Sequence, residues 1–152
     1  MCPVLDAALA TAETTIDVSA MTSDFQLETV AVNLGQAGLS KGEKFTVVVT
    51  EASDADLDAG APYKAVFQYT TDNGSNWHDA GTTELKTLSA AGVPKQIVEG
   101  AVEVDIVVEQ NSAANIDWRI AIRATANVAT TDDFNIQGYI GGQGLGLNGI
   151  IN

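Results

Sequence analysis

The residues with chemistry in their side chains are few, and they are scattered. His78 is the only histidine and Cys2 the only cysteine. A hydrolytic triad or a zinc site asks for a second histidine, a cysteine pair or a serine–base set at fixed geometry, and those partners are missing. His78, beside Asp79 just after a turn signal, therefore reads as a surface residue. Cys2 adjoins the first Met and cannot close an internal disulfide. Asp54, Asp56 and Asp58 alternate like the first half of a calcium loop, and carboxylates crowded in this way attract hard cations. Ala59 stands where such a loop needs its glycine, and Ala65 where it needs its last acid. The three aspartates are a weak calcium candidate beside the plainer reading of a solvated acidic loop. No resident metal or other cofactor is expected.

The 20 acidic residues offer many carboxylate pairs for glycoside chemistry, yet nothing in their spacing singles one pair out. No glycine-rich loop follows a strand and opens a helix, so nucleotide binding has no support. Trp77, Trp118, Tyr63, Tyr69 and Tyr139 are candidates for a sugar-stacking platform. Trp118, however, alternates with Ile120 and Ile122 and is expected in the core. The chain is read as a binding protein and not as an enzyme.

The elements that would position these residues are strands. Short runs of Val, Ile, Thr and aromatics are broken by Gly, Asn and Asp clusters. They fall at Thr15–Val18, Phe25–Leu34, Phe45–Glu51, Lys64–Thr71, Gln96–Glu99, Val102–Glu109, Asp117–Thr125 and Phe134–Ile140. In the second run the apolar parity changes between Leu27 and Val30, which predicts a bulge near Glu28 or two covered faces. Asp72-Asn73-Gly74-Ser75-Asn76 is the sharpest turn, because Asn-Gly reaches positive φ cheaply, and it predicts a hairpin entered at Trp77. The segment from Thr70 to Trp77 also resembles the Asp-box hairpin; a single copy implies a hairpin and not a propeller.

In Val102–Glu109 the pattern sends Val102, Val104, Ile106 and Val108 inward and Glu103, Asp105 and Glu109 outward. In Asp117–Thr125 it sends Arg119 and Arg123 outward, so the two runs are expected to pair charges across the sheet. In Phe134–Ile140, Phe134, Ile136 and Ile140 are expected inward. With about eight strands and no crossover helix, the expected fold is all-β: an antiparallel β-sandwich, jelly-roll-like, with extended N- and C-terminal arms. An immunoglobulin-like sandwich is the alternative, without the Cys…Trp…Cys pattern of antibody domains.

The expected division is an N-terminal arm or short helix over 1–14, the sandwich over 15–140, and a Gly/Leu-rich arm or edge strand over 141–152. The last segment alternates Gly with Leu145, Leu147, Ile150 and Ile151. With Val4 and Leu5 at the other end, these are the candidate partner-binding residues, because a sandwich core of this size need not cover them.

Composition narrows the partners. At 152 residues the chain suits one domain, and 45% apolar content with mean hydropathy +0.09 is enough for a core without a staple. A net charge of −13 repels phosphate backbones and anionic lipid, so neither nucleic acid nor membrane is an expected partner. No signal-peptide pattern opens the chain and no apolar run is long enough for a membrane helix. Synthesis and folding in a reducing host cytoplasm are expected.

The segments Phe67-Gln68-Tyr69-Thr70-Thr71-Asp72-Asn73 and Asp117-Trp118-Arg119-Ile120-Ala121-Ile122-Arg123 resemble those of the jelly-roll cement, or decoration, proteins of tailed bacteriophages. The resemblance implies a structural protein of the virion, a dimer or trimer on the outer capsid at capsomer junctions. Its partners would be the major capsid protein and itself. The alternative from another class is a carbohydrate-binding or receptor-binding β-sandwich module of a virus fibre or a secreted protein.

Overall fold

A computed structural model describes residues 9–17, 26–51, 63–85, 95–108, 113–124 and 133–141. Nine strands make up the described regular structure: β1 (Thr14–Asp17), β2 (Gln26–Glu28), β3 (Val32–Gly35), β4 (Lys44–Glu51), β5 (Tyr63–Thr70), β6 (His78–Leu85), β7 (Lys95–Ala101), β8 (Ile116–Ala124) and β9 (Asp133–Ile140). There is no α-helix among the described residues.

Two antiparallel sheets face each other. One runs β1-β9-β4-β7; the other runs β2-β8-β5-β6, with β3 also pairing β8. β2 and β3 act as one edge strand interrupted at Thr29–Ala31. There the Thr29 N–H donates to the Ile120 carbonyl at 2.9 Å, and the Ile120 N–H donates to the Thr29 hydroxyl at 3.1 Å. A side-chain oxygen thus fills the place of a ladder carbonyl, and Val30 is turned out to solvent at 67% exposure. This is the physical origin of the parity change between Leu27 and Val30. With β2 and β3 counted as one strand, the sheets read first-eighth-third-sixth and second-seventh-fourth-fifth. That is the eight-stranded jelly roll.

The inward positions of both sheets meet as period-2 patterning requires. Phe45 from the four-stranded sheet lies 5.4 Å from the Phe67 ring, and Phe67 stacks on Trp118 at 5.4 Å with 11° between ring planes. Val47, Val49, Ile120, Ile122 and Ile136 complete the buried layer. Two glycines admit these large side chains. A Cβ on Gly100 would sit 2.4 Å from Phe45, and one on Gly138 would sit 2.4 Å from Ile120. Close packing leaves no volume for either.

The hairpin expected at Asp72–Asn76 joins β5 to β6, with Asn73 at φ 59° and Gly74 at φ 87°. The strand expected at Val102–Glu109 does not form over its described part, 102–108. There the chain makes an isolated bridge, Leu39 to Ile106, and separate backbone hydrogen bonds of Val102 with Gly42 and Glu43 and of Glu103 with Ala80. Val102 and Ile106 are buried, whereas Val104 is 41% exposed. Alternation alone sent Val104 inward, but without a continuous ladder to a neighbouring strand the segment need not keep its pleat. The side chain of Phe134 lies outside the described set, while Ile136 is buried and Ile140 packs on the core as expected.

Candidate functional site

A jelly roll offers two outward faces, two ends and its loops. The outward face of the five-stranded sheet carries alternate residues of β2, β8, β5 and β6. Register sets Gln68 between Arg119 and Asp79, and Gln26 beside Arg123. These side chains close into a loop of contacts. The Arg119 Nε donates to Gln68 Oε1 at 2.8 Å, and Gln68 Nε2 donates to Asp79 Oδ1 at 2.9 Å. Arg123 grips the same Asp79 through both terminal nitrogens at 2.7 and 3.0 Å, and its Nε donates to Gln26 Oε1 at 2.8 Å. Gln26 Nε2 donates to Glu28 Oε1 at 2.8 Å, and Arg119 returns to that oxygen at 3.6 Å. At the middle of the loop Val66 pairs with Ala121, both fully buried although on outward parity.

The electrostatics follow from this geometry. The two-pronged Arg123 contact lowers the Asp79 carboxyl below the usual range, with help from Gln68. Burial lowers the Arg119 guanidinium from its ordinary value, opposed by Glu28. Its Cζ sits 4.0 Å from the centroid of the half-buried Trp77 ring, a cation–π contact. Trp77 also leans on the hairpin, its indole beside Gly74. Inside that hairpin Asp72 accepts from the Thr70 hydroxyl at 2.7 Å, from the Asn76 N–H at 2.8 Å and from Asn76 Nδ2 at 2.7 Å. These hydrogen bonds lower its pKa to about 2.

The expected charge pairing is thereby corrected. Arg119 and Arg123 pair with Glu28 and Asp79, and Glu103 and Asp105 are not their partners. β8 is flanked by β2, β3 and β5, so the segment after β7 never reaches it. Asp105 instead accepts from the Lys41 N–H at 2.8 Å. Glu109 lies outside the described residues. Gln26, Glu28, Gln68 and Asp79 were not singled out in the sequence; their one signal is polar residues at outward parity, which says nothing of who pairs with whom.

The aromatic platform is dispersed. Trp118 and Tyr63 are in the core, and Tyr139 is buried on the other sheet. Tyr69 packs its ring 5.3 Å from His78, which is exposed as expected. Trp77 alone of the five is presented at this polar face.

The outward face of the four-stranded sheet is of another kind. β4 contributes Thr46, Val48 and Thr50, β9 contributes Asn135, Gln137 and Tyr139, and β1 contributes Thr15. These seven are uncharged at neutral pH, but the same register sets Glu99 opposite Thr46, Lys95 opposite Thr50 and Asp17 opposite Asp133; burial, with the Glu13 carboxylate adding to it, raises the Tyr139 hydroxyl from its ordinary value. Both described chain ends meet at one end of this face. Ala10 bridges to Tyr139, the Thr11 N–H donates to the Gly138 carbonyl at 2.9 Å, and Gln137 Nε2 donates to the Thr11 carbonyl at 2.9 Å. Gly141, at φ 122°, donates its N–H to the Lys44 carbonyl and accepts the Thr46 hydroxyl proton, each at 2.7 Å.

The segments carrying Val4, Leu5, Leu145, Leu147, Ile150 and Ile151 lie outside the described residues, as do Cys2 and the acidic triplet Asp54, Asp56 and Asp58. Among the described residues no cluster of His, Cys, Asp and Glu has metal-site geometry.

No protein-family model matches the chain, and no curated protein matches it. Among solved structures it is similar to the Yersinia pseudotuberculosis-derived mitogen, at 10% identity over 86% of each chain and a TM-score of 0.38. It is also similar to a carbohydrate-binding module of the β-sandwich superfamily, at 11% identity over 86% of this chain and 52% of that one, with a TM-score of 0.42. A CBM4 structure shares 14% identity over 86% of this chain and 88% of that one, with a TM-score of 0.40. Likenesses this distant carry no information on ligand or partner; the chain is an antiparallel jelly-roll β-sandwich on its own strand order.

Proposed function

We propose that this protein is a structural component of a virus particle, a capsid cement protein that binds the outer shell at capsomer junctions and stabilises it. The observation that carries the reading is the meeting of the two chain ends at one end of the four-stranded sheet. From that one place the sequence continues into Val4 and Leu5 on one side and into Leu145, Leu147, Ile150 and Ile151 on the other. Apolar segments leaving a rigid body together can grip a neighbouring shell subunit, and many copies on a repeating lattice turn modest contacts into firm binding. The two segments that resemble cement proteins support the reading further, since they are paired neighbours, β5 and β8, at the centre of one sheet. The role is non-catalytic, the partner is the major capsid protein, and the site of action is the virion surface.

Deletion of residues 142–152 tests it. The truncated domain should keep its thermal transition while its co-sedimentation with shells of the cognate capsid protein falls at least about tenfold, about 1.4 kcal/mol. Binding equal to that of the full chain would remove the arm from the proposal.

One observation favours a second reading, a carbohydrate-binding module. Trp77 is partly exposed beside a face rich in paired amide, carboxylate and guanidinium groups, which is sugar-binding chemistry. A glycan array with the full chain and Trp77→Ala decides it: binding lost with Trp77 sustains this reading, and a blank array removes it.

A further inference from the structure

We infer that the Asn73–Gly74 peptide is a latent site of succinimide chemistry, and that the buried Thr70 hydroxyl is the latch that sets its rate. Asn73 is exposed at the tip of the β5–β6 hairpin, and a glycine follows it. With no side chain on Gly74 to hinder approach, its backbone nitrogen can attack the Asn73 side-chain amide. A base in the solvent takes the Gly74 N–H proton. The nitrogen forms a bond to Asn73 Cγ, the bond from Cγ to Nδ2 breaks, and Nδ2 takes a proton and leaves as ammonia. Water then opens the cyclic imide at either carbonyl. Opening at Cγ gives aspartate; opening at the main-chain carbon gives an isoaspartyl link with an extra backbone methylene.

The turn as built stands against this step. The Ser75 N–H donates to the Asp72 carbonyl at 3.3 Å, and φ is 59° at Asn73 and 87° at Gly74. Positive φ at both central residues of a β-turn marks type I′, which sets ψ of the first of them near about +30°. At that ψ the Gly74 nitrogen and the Asn73 Cβ lie nearly opposite each other about the Cα–C bond. Ring closure needs them on the same side. The turn must therefore open before the bond can form, and the rate follows the fraction of time it is open.

Thr70 holds it closed. This residue is fully buried at the end of β5. The Gly74 N–H, which carries the attacking nitrogen, donates to Thr70 Oγ1 at 3.2 Å, and the Asp72 N–H donates there at 3.3 Å. The Thr70 hydroxyl donates in turn to Asp72 Oδ1 at 2.7 Å, and that carboxylate accepts from the Asn76 N–H and Nδ2. One oxygen thus pins the nucleophile, the turn and the carboxylate. The Gly74 proton is engaged by an acceptor and less open to base, and the ionised Asp72 beside it disfavours the anion that proton loss creates. An isoaspartyl link would lengthen this turn just ahead of Trp77, whose ring faces Arg119 at 4.0 Å. The inference concerns the chain's own chemistry and stands whatever partner the protein binds.

The test is ageing of the full chain in mildly alkaline buffer, with residue 73 followed by peptide mass mapping and isoaspartyl content by enzymatic methylation. Modification of the folded wild type should be at least about tenfold slower than of the same chain unfolded in urea. Thr70→Val keeps the shape of the buried side chain and removes the acceptor, and should raise the folded rate roughly tenfold. Thr70→Ser should bring it back to within about twofold of the wild type. Val49→Ala, in the core and away from the hairpin, lowers global stability and should leave the rate unchanged. Should Thr70→Val lose the near-ultraviolet circular dichroism of the packed aromatics, Asn76→Ala loosens the same latch from an exposed position and should raise the rate about twofold. Equal rates in the folded and unfolded wild type, an unmoved rate in the folded latch variant, no recovery in Thr70→Ser, or a rise in Val49→Ala as large as that in the latch variant would each overturn the latch.

Discussion

The two outward faces of the sandwich are built from strands of similar length and use their polar residues in opposite ways. On the five-stranded sheet, six side chains from four strands satisfy one another, and Arg119 is sealed under Trp77. On the four-stranded sheet Thr46 and Gln137 bind backbone of the described chain ends instead. The first face spends its hydrogen-bonding capacity holding its own strands together. The second holds Thr11 and Gly141 in place.

The comparison breaks most readily at Arg119. Arg119→Ala removes a hydrogen bond to Gln68, a pair with Glu28 and the contact with Trp77, and it leaves the buried Gln68 oxygen without that donor. A loss of about 2 kcal/mol in denaturant unfolding is expected, with a shift in Trp77 emission. A loss below about 0.5 kcal/mol would mean the loop of contacts is ornament on a sheet held by its core.

Acid titration sharpens the comparison next. Asp72 titrates near 2 in the fold against an ordinary 3.8, and Asp79 is lowered too. A carboxyl with a depressed folded pKa binds its proton more readily in the unfolded chain. Its contribution is therefore whole above about 3.8 and is lost as pH falls towards 2. Stability should decline through that window, and Asp72→Ala should flatten the decline when unfolding free energy is followed against pH. Identical acid limbs for the two proteins would remove Asp72 from the account.

The smallest effect is expected on the outward face of the four-stranded sheet. Thr50→Val should change the monomer's unfolding free energy by less than about 0.5 kcal/mol, because the hydroxyl stands on a surface strand. A cost above 1 kcal/mol would give that face a structural role like that of the other.

Much of this was legible in the residues. Alternation at Trp118, Ile120 and Ile122 placed those three in the core, and Asn73-Gly74 placed the hairpin. Both are local: a pleat has period two, and positive φ is cheap for Asn and Gly. The antiparallel sandwich followed from strands without crossover helices, and the strand order then chose the jelly roll over the immunoglobulin-like alternative. The partners of Arg119 and Arg123 were not legible, nor was the failure of Val102–Glu109 to form a strand. The aromatic platform was an assembly that only sheet order could grant or refuse.

The sequence by itself determined the inward and outward parity of strands such as β4, β5 and β8, the hairpin turn, the acidity and the apolar segments at its ends, because each depends on residues a few positions apart. The tertiary structure alone decided that Gln26, Glu28, Gln68 and Asp79 close around the two arginines, and that Ala10 and Gly141 meet at one end of one sheet. Both outcomes depend on which strands lie side by side. In a jelly roll neighbours come from distant parts of the chain, so their meeting is set by the packing of the whole core and by no local pattern.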